Sequence, residues 1–391
     1  MQTRISIDLA RDLQERFRDR QTRIISLIKT LVETESPSGD EPGSRTVVDL
    51  LANAAASARS VDSIERVDVP GFGQHLVIRA FQGRAAAGNV LVVGHTDTVH
   101  PRGSVVERPW RVEGNRIYGP GVFDMKANCA LAVAVLHACA DLDLVPRYGV
   151  IVALTCDEEV GSASGWPLLK RLAEQEKVQT ALVIEPPAPG GRVKTGRKGT
   201  GIFGMKIQGS AAHAGLEPEK GASAILELAR QTERLHALND ASTGIRINVG
   251  VVHGGTRSNV VAAEATAEID ARFASASEAL TVEDAILNTR PYDERVRIKV
   301  SGGINRPPLE RSEGVLRLYQ LAQNIAGLLQ FDLGETQVGG ASDGNFLAAM
   351  GLPVLDGLGI DGDGAHATHE HILADDIARR GALLSGLIAS L

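Results

Sequence analysis

Apolar residues recur along this chain with two different periods, and the places where one gives way to the other outline its organisation. Over residues 8–34, Leu9, Leu13, Phe17, Ile24, Ile28 and Leu31 lie at helical spacing. The stretch "SPSGDEPG" (36–43) breaks that stripe, and a second helix is expected to begin there. Strands are predicted at about 61–69, 75–81 and 89–93. A small-residue helix (128–142), a strand (148–154), a helix (about 164–177) and the strand "ALVIE" (181–185) follow. Strands alternating with helices predict an α/β fold with an open, largely parallel sheet.

The middle of the chain changes period. In "EATAEIDARF" (264–273), Ala265, Ala267, Ile269, Ala271 and Phe273 alternate with polar residues, the pattern of a sheet buried on one face. Strands at 201–209, 244–255 and 295–302 and helices at 219–238 and about 277–288 complete the order β-α-β-β-α-β. That order is the ferredoxin-like unit. The α/β pattern then resumes through residue 391, so a small domain (197–306) is expected inside a larger discontinuous one (1–196 and 307–391).

A length of 391 residues agrees with two domains. The net charge of −7, without a Lys/Arg stripe, argues against a nucleic-acid surface. The amino terminus is charged throughout with no apolar leader, and no apolar run approaches the ~20 residues of a membrane span. No membrane partner is expected. Cys129, Cys139 and Cys156 sit among apolar or small residues without metal-type spacing, as buried free thiols in a reducing cytoplasm would.

Candidate chemistry gathers where elements end. The strand 150–154 runs into Asp157, Glu158 and Glu159, three adjacent acids that must either splay into solvent or surround something positive. "NVLVVGHTDTVHP" (89–101) ends an apolar strand on Gly94, His95 and Asp97. Residues two apart in extended chain share a direction, so Asp97 can lie behind His95 and fix its tautomer. Asp124 stands in a Gly/Pro turn ahead of a helix, Glu185 ends a strand before Pro186, and His366 sits in the Gly-rich loop "GDGAHATHEH". Each has a plainer reading alone: a capped strand end, a helix-terminal acid, a solvated loop residue, a surface histidine. Together they fall where the strand ends of a parallel sheet converge on one crevice.

The charges then balance. Two Zn²⁺ ions bring four positive charges, which Asp124, Glu159 and Glu185 and a bridging hydroxide match, with His95 and His366 as neutral ligands. Glu158 is left free to act as general base toward an activated water, a standard route to amide hydrolysis. Imidazole and carboxylate ligands suit zinc, and Co²⁺ or Mn²⁺ would also fit.

The ordered motifs His-x-Asp, Gly-x-x-Asp-Met-Lys, Glu-Glu, Ile-Glu-Pro and Gly-x-Gly-Ala-His-x-x-x-Glu resemble the dinuclear zinc amidohydrolase and metallopeptidase family. That family includes glutamate carboxypeptidase, acetylornithine deacetylase, succinyl-diaminopimelate desuccinylase and aminoacylase. The resemblance implies His95, Asp124 and Glu185 on one metal, Glu159 and His366 on the other, and Asp124 bridging both. It implies Glu158 as base, Asp97 orienting His95, a cis peptide after Asp124, and an inserted domain that acts as lid and dimer interface.

The likeness is nearest to the glutamate carboxypeptidase branch. "SAAHAG" (210–215) resembles the lid motif whose histidine, here His213, reaches the partner subunit's active site and helps hold the oxyanion. "SNVVAAEATAEIDARF" (258–273) resembles the segment that holds the substrate carboxylate through Asn259 and Arg272, and "GGASDGNF" (339–346) a loop lining the same pocket. Glutamate at position 185, where aminopeptidase relatives usually carry aspartate, favours carboxypeptidase or deacylase action. The segment 187–199, with Arg192 and Lys194, departs from the folate-cleaving pattern and leaves the terminal residue of the substrate open.

The expected activity is release of a C-terminal amino acid, with glutamate leading, from a peptide or N-acyl amino acid. A biosynthetic deacylase of the acetylornithine type is the alternative. A silent relative that binds a metal or amino acid is the third reading, although no expected ligand or base is missing.

Overall fold

The amino-terminal stripe folds as two helices, α1 (Ile7–Asp19) and α2 (Gln21–Glu33), that meet at Arg20. The break lets each helix turn its own apolar face inward: Leu13 and Phe17 are buried on one, Ile24, Ile28 and Leu31 on the other. The protein is described here from a computed structural model covering residues 5–240 and 242–391. The first four residues, part of the stretch read as lacking an apolar leader, lie outside the described residues.

The chain continues through α3 (Glu41–Ala56), β1 (Val61–Val69), β2 (Gly73–Ala80) and β3 (Asn89–His95). After α4 (Ser104–Glu107) come two short strands that the sequence pattern did not reveal, β4 (Arg111–Glu113) and β5 (Arg116–Tyr118). Then α5 (Ala127–Asp141), β6 (Gly149–Thr155), α6 (Gly165–Gln175), β7 (Val178–Val183) and β8 (Val193–Arg197) follow. The insertion holds β9 (Gly199–Gln208), α7 (Ala224–His236), β10 (Arg246–Gly254), β11 (Glu264–Phe273), α8 (Ala276–Leu287) and β12 (Arg297–Arg306). The return contributes α9 (Glu313–Leu328), β13 (Glu335–Val338), α10 (Gly344–Ala349), β14 (Val354–Leu355), β15 (Gly362–Asp363), β16 (His371–Leu373) and α11 (Asp376–Ser390).

Two compact units result. One comprises Met1–Thr195, Arg311–Gln337 and Ser342–Leu391; the other comprises Gly196–Glu310 and Val338–Ala341. The segment 338–341 falls in the smaller unit, where the sequence reading placed it in the larger domain. Backbone bonding is the reason: Lys198 N donates to Val338 O (3.0 Å), and Arg197 Nη1 reaches Gly340 O (3.3 Å) and Ala341 O (3.2 Å).

In the larger unit the main sheet has the order β1-β2-β6-β3-β7-β14. β6, β3, β7 and β14 run parallel, while β2 is antiparallel to both β1 and β6, so the sheet is mixed and largely parallel. Every residue of β3 and β6 is buried, as expected of central strands covered by helices on both faces. The segment Val122–Asp141, which includes α5, is long and apolar enough to cross a membrane, contrary to the reading of the bare sequence. Nearly all of it is buried inside the fold, which makes it a core helix. Gly381 of α11 admits the Phe17 ring; a Cβ there would fall 2.3 Å from it.

The smaller unit is a four-stranded antiparallel sheet of order β10-β11-β9-β12. The alternate residues of β11 predicted to face inward are buried, and with Phe203, Met205, Leu228, Leu235 and Ile286 they make a separate core.

The larger unit also contains an acid-sensitive tie. Glu35 Oε2 accepts from Gly103 N (2.9 Å) and Oε1 from Val105 N (3.0 Å), at the first turn of α4. Partial burial raises its pKa, but the two amides, with Arg102 and Lys126, hold it below the usual carboxylate range. A depressed folded pKa gives stability that is present above the unfolded value and lost as pH falls through the folded one. Glu35→Gln should therefore flatten the acid limb of the melting-temperature profile as pH falls from the ordinary glutamate value through the lower folded one. Parallel wild-type and variant profiles would show that this tie does not contribute.

Candidate metal centre

Three neighbouring parallel strands carry candidate residues at or just past their carboxyl ends. His95 is the last residue of β3, the Glu158–Glu159 pair follows β6, and Glu185 follows β7. The alignment is enforced by backbone bonds, Thr96 N to Thr155 O (2.8 Å) and Ile184 N to Val93 O (2.9 Å). Asp124 enters from the turn ahead of α5, after Gly121 at φ 71°, and its peptide to Met125 is cis. His366 comes from the loop between β15 and β16 with φ 64°. That left-handed backbone is uncommon for a residue with a Cβ, and it marks a position held by its surroundings.

Two groups form around Asp124. His95 Nε2 lies 3.2 Å from Asp124 Oδ1 and 3.4 Å from Glu185 Oε1. His366 Nε2 lies 3.4 Å from Asp124 Oδ2 and 3.1 Å from Glu159 Oε2. Each group is close enough to offer three donor atoms to one ion, and Asp124 gives a different oxygen to each. Ligands about 2.0–2.1 Å from a tetrahedral ion stand about 3.3–3.4 Å apart, which is the spacing seen. Glu159 Oε1 is buried without a hydrogen-bond partner, so the site has an acceptor to spare.

The electrostatics point the same way. Burial pulls the His95 pKa down, but Asp124, Asp97 and Glu185 outweigh it and leave it well above its ordinary value. Asp124 and Glu159 push His366 up to about 10. Burial raises Glu159, while the two imidazoles overcome the burial of Asp124 and hold it far below its usual range. The pocket demands positive charge at these atoms, and two divalent ions fit that demand with N and O ligands.

Asp97 does more than stand behind His95. The nearest acceptor to His95 Nδ1 is the Asp97 carbonyl at 3.0 Å, with the carboxylate at 3.4 Å. Both place the proton on Nδ1 and leave Nε2 as the ligand atom. The carboxylate also accepts from Glu158 N and Glu159 N (both 3.2 Å) and from Ser38 Oγ (2.6 Å). Glu158 and Glu159 lie past the end of β6 on a single 3₁₀ turn, Glu158–Val160. The third acid, Asp157, is fully buried and accepts from Ser164 N (2.6 Å) and Gly165 N (3.0 Å) at the start of α6. Its neighbour Cys156 donates its N–H to His75 Nδ1 (3.1 Å).

The profile of peptidase family M20/M25/M40 matches residues 91–390. The chain belongs to that family. It is 29% identical over 389 residues to carboxypeptidase G2 of Pseudomonas sp. (strain RS-16), covering 95% of this chain and 90% of that one. It is 27% identical over 401 residues to succinyl-diaminopimelate desuccinylase of Dinoroseobacter shibae, covering 93% and 98%. Among solved structures, aminopeptidase PepT from Bacillus cereus ATCC 10987 superposes with a TM-score of 0.79 at 21% identity, over 95% of this chain and 98% of that chain. The protein is thus a hydrolase of the metallopeptidase and amidohydrolase kind.

Sequence reasoning missed several supports of this M20 site. Asp343 is buried and accepts from Thr155 Oγ1 (3.0 Å) and from Ser162 Oγ, tying the start of α10 to β6 and the turn after it. Glu370, which closes the last motif, is buried and accepts four hydrogen bonds. Only its place four residues after His366 signalled it. In the smaller unit, His213 and Asn259 are exposed and lie on adjoining segments, with Ala214 N donating to Asn259 O (3.0 Å). Arg272 does not offer an open fork: its Nε and Nη2 each donate to Asp270 at 2.8 Å. The Nη1–Nη2 edge remains for a second carboxylate. Arg192 turns back onto Pro189 O (3.0 Å).

The Asp97 contacts generate a direct test. Asp97→Ala removes the acceptor of two amides in a buried turn, and each unsatisfied group costs about 1–3 kcal/mol. The metal-free variant should melt several degrees earlier than metal-free wild type. An unchanged midpoint would show that Asp97 serves the histidine alone.

Proposed function

We propose that this M20 protein is a carboxypeptidase-like amidohydrolase that releases a C-terminal amino acid, with glutamate the leading candidate, using two zinc ions held by His95, Asp124, Glu185, Glu159 and His366. The observation that carries this reading is the pair of ligand groups sharing Asp124, with an unassigned glutamate, Glu158, on the same turn as Glu159. When bound, the two ions would polarise the scissile carbonyl and make a water acidic enough to attack at neutral pH.

The remaining roles belong to the chain. Glu158, its backbone fixed by Asp97, takes a proton from the attacking water. It then returns that proton to the amide nitrogen as the C–N bond breaks, yielding a carboxylate and a free amine. His213 of a neighbouring subunit donates to the carbonyl oxygen as negative charge develops there. Arg272, aimed by Asp270, and Asn259 hold the free carboxylate of the substrate. The likeness to carboxypeptidase G2 supports the carboxypeptidase reading, and the likeness to succinyl-diaminopimelate desuccinylase supports an N-acyl-amino-acid deacylase as the alternative. Assay of the zinc-loaded protein on N-acyl glutamates, dipeptides, N-acetylornithine and succinyl-diaminopimelate decides between them by which amine is released. Three buried free cysteines support a cytoplasmic location as part of the same proposal.

Glu158→Gln keeps shape and ligands but loses the base. It should load two ions per chain as wild type does, with kcat lower by about 10²–10⁴-fold. Turnover near wild type would remove Glu158 from the role, and loss of an ion would make it a ligand.

The assignment of His213 to the neighbour's site requires a homodimer joined through the smaller domains. Mixing a His213→Ala chain with a Glu158→Gln chain should restore activity, because one of the two sites in the mixed dimer then has both groups. Exchange of subunits without recovered activity would show that His213 does not act across the dimer.

A further inference from the structure

Behind the metal centre lies a buried polar chain that the catalytic roles above do not use. Arg108 Nη2 stands 3.2 Å from His100 Nδ1, and His100 Nε2 stands 2.6 Å from Glu370 Oε2. A guanidinium can only donate, so His100 Nδ1 must accept. The partners therefore place a proton on Nε2, directed at Glu370.

Glu370 spends every remaining acceptor position on the turn that ends in Asp124. Its Oε2 also accepts from Gly121 N (2.7 Å), and its Oε1 accepts from Phe123 N (2.9 Å) and Asp124 N (2.9 Å). Four donors fill the roughly four lone-pair sites of a carboxylate. Glu370 thus has none left for an ion, although it lies four residues beyond His366. Arg108 closes the circuit at the other end, where its Nη1 reaches Ala367 O (3.4 Å), next to His366. Glu370 and His100 are both buried, and Arg108 is half-buried.

We propose that Arg108, His100 and Glu370 are positioning residues that hold the Gly121–Asp124 turn against the loop carrying His366. They set the separation between Asp124 and His366, and so the affinity for the ion that those two share with Glu159. This inference rests on the dinuclear reading above. It adds a requirement that reading does not contain: the outer end of the chain must be polar for the inner end to bind metal well.

His100 is the residue to change, because its side-chain hydrogen bonds run to Arg108 and Glu370 and to neither a metal ligand nor the Asp124 turn. His100→Leu breaks both links. Glutamine carries a donor and an acceptor at about the spacing of the two ring nitrogens, so His100→Gln can restore them. Zinc would be titrated into the metal-free full-length protein in competition with a chromophoric chelator, and kcat and KM measured on the best substrate found. Wild type should hold two ions. His100→Leu should bind one of them about 10–100-fold more weakly, the usual effect of losing a group that orients a ligand. Its kcat at limiting zinc should fall with KM little changed, and His100→Gln should recover most of both losses. Arg108→Met should give a smaller loss in the same direction, and it serves if His100→Leu does not fold. Wild-type affinity for both ions in the Leu or Met variant, even with a lower melting temperature, overturns the proposal by making the chain an ordinary structural contact. Equal weakening in the Leu and Gln variants overturns it too. A wild-type protein that holds fewer than two ions removes the dinuclear reading itself, and this inference with it.

Discussion

Carboxylates withdrawn from water into one crevice must share a positive charge, and the larger unit is arranged around that constraint. Asp124, Glu159 and Glu185 approach two imidazoles to within 3.1–3.4 Å. Like charges at about 4 Å repel by about 4 kcal/mol even at an effective dielectric constant near 20. No packing of apolar side chains offsets such a cluster cheaply. The strands therefore deliver their acids at the one place where two imidazoles stand to meet them, and where ions can complete the neutralisation. Glycines and turns serve the same end: Gly121 lets the chain fold back so that Asp124 faces both groups at once.

Much of this was legible in the sequence because the candidate ligands sit at element ends, where a change of hydrophobic period leaves a visible mark. The parallel strands, the inserted β-α-β-β-α-β unit and the ligand-type residues could all be read from spacing. The supports could not. Asp97 shows as a partner of His95 because it is two residues away, yet its bonds to Glu158 and Glu159 span some sixty positions and follow no local pattern. Asp157 looked like a third member of an acidic run, and it is a helix-end acceptor aimed the other way. The split of the first stripe at Arg20 was equally hidden, since both halves keep helical spacing and only their packing directions differ.

The smaller unit shows how a charge can be prepared for a ligand. Asp270 and Arg272 lie on one face of β11, two residues apart, and Asp270 takes the Nε–Nη2 edge of the guanidinium. The arginine loses freedom in that contact, so less remains to be lost when its other edge meets a carboxylate. An alternating strand would display an arginine there for solubility alone.

The ligand groups also differ in when they can exist. His95, Asp124 and Glu185 all precede the insertion, whereas His366 lies 181 residues beyond Glu185 (366 − 185). A nascent chain leaving the ribosome has one triad complete before the insertion has been synthesised. The other waits for His366, beyond the insertion. Until then Asp124 and Glu159 have no second imidazole between them. The insertion thus separates the two groups in sequence: one draws all its residues from before it, and the other joins residues from both sides.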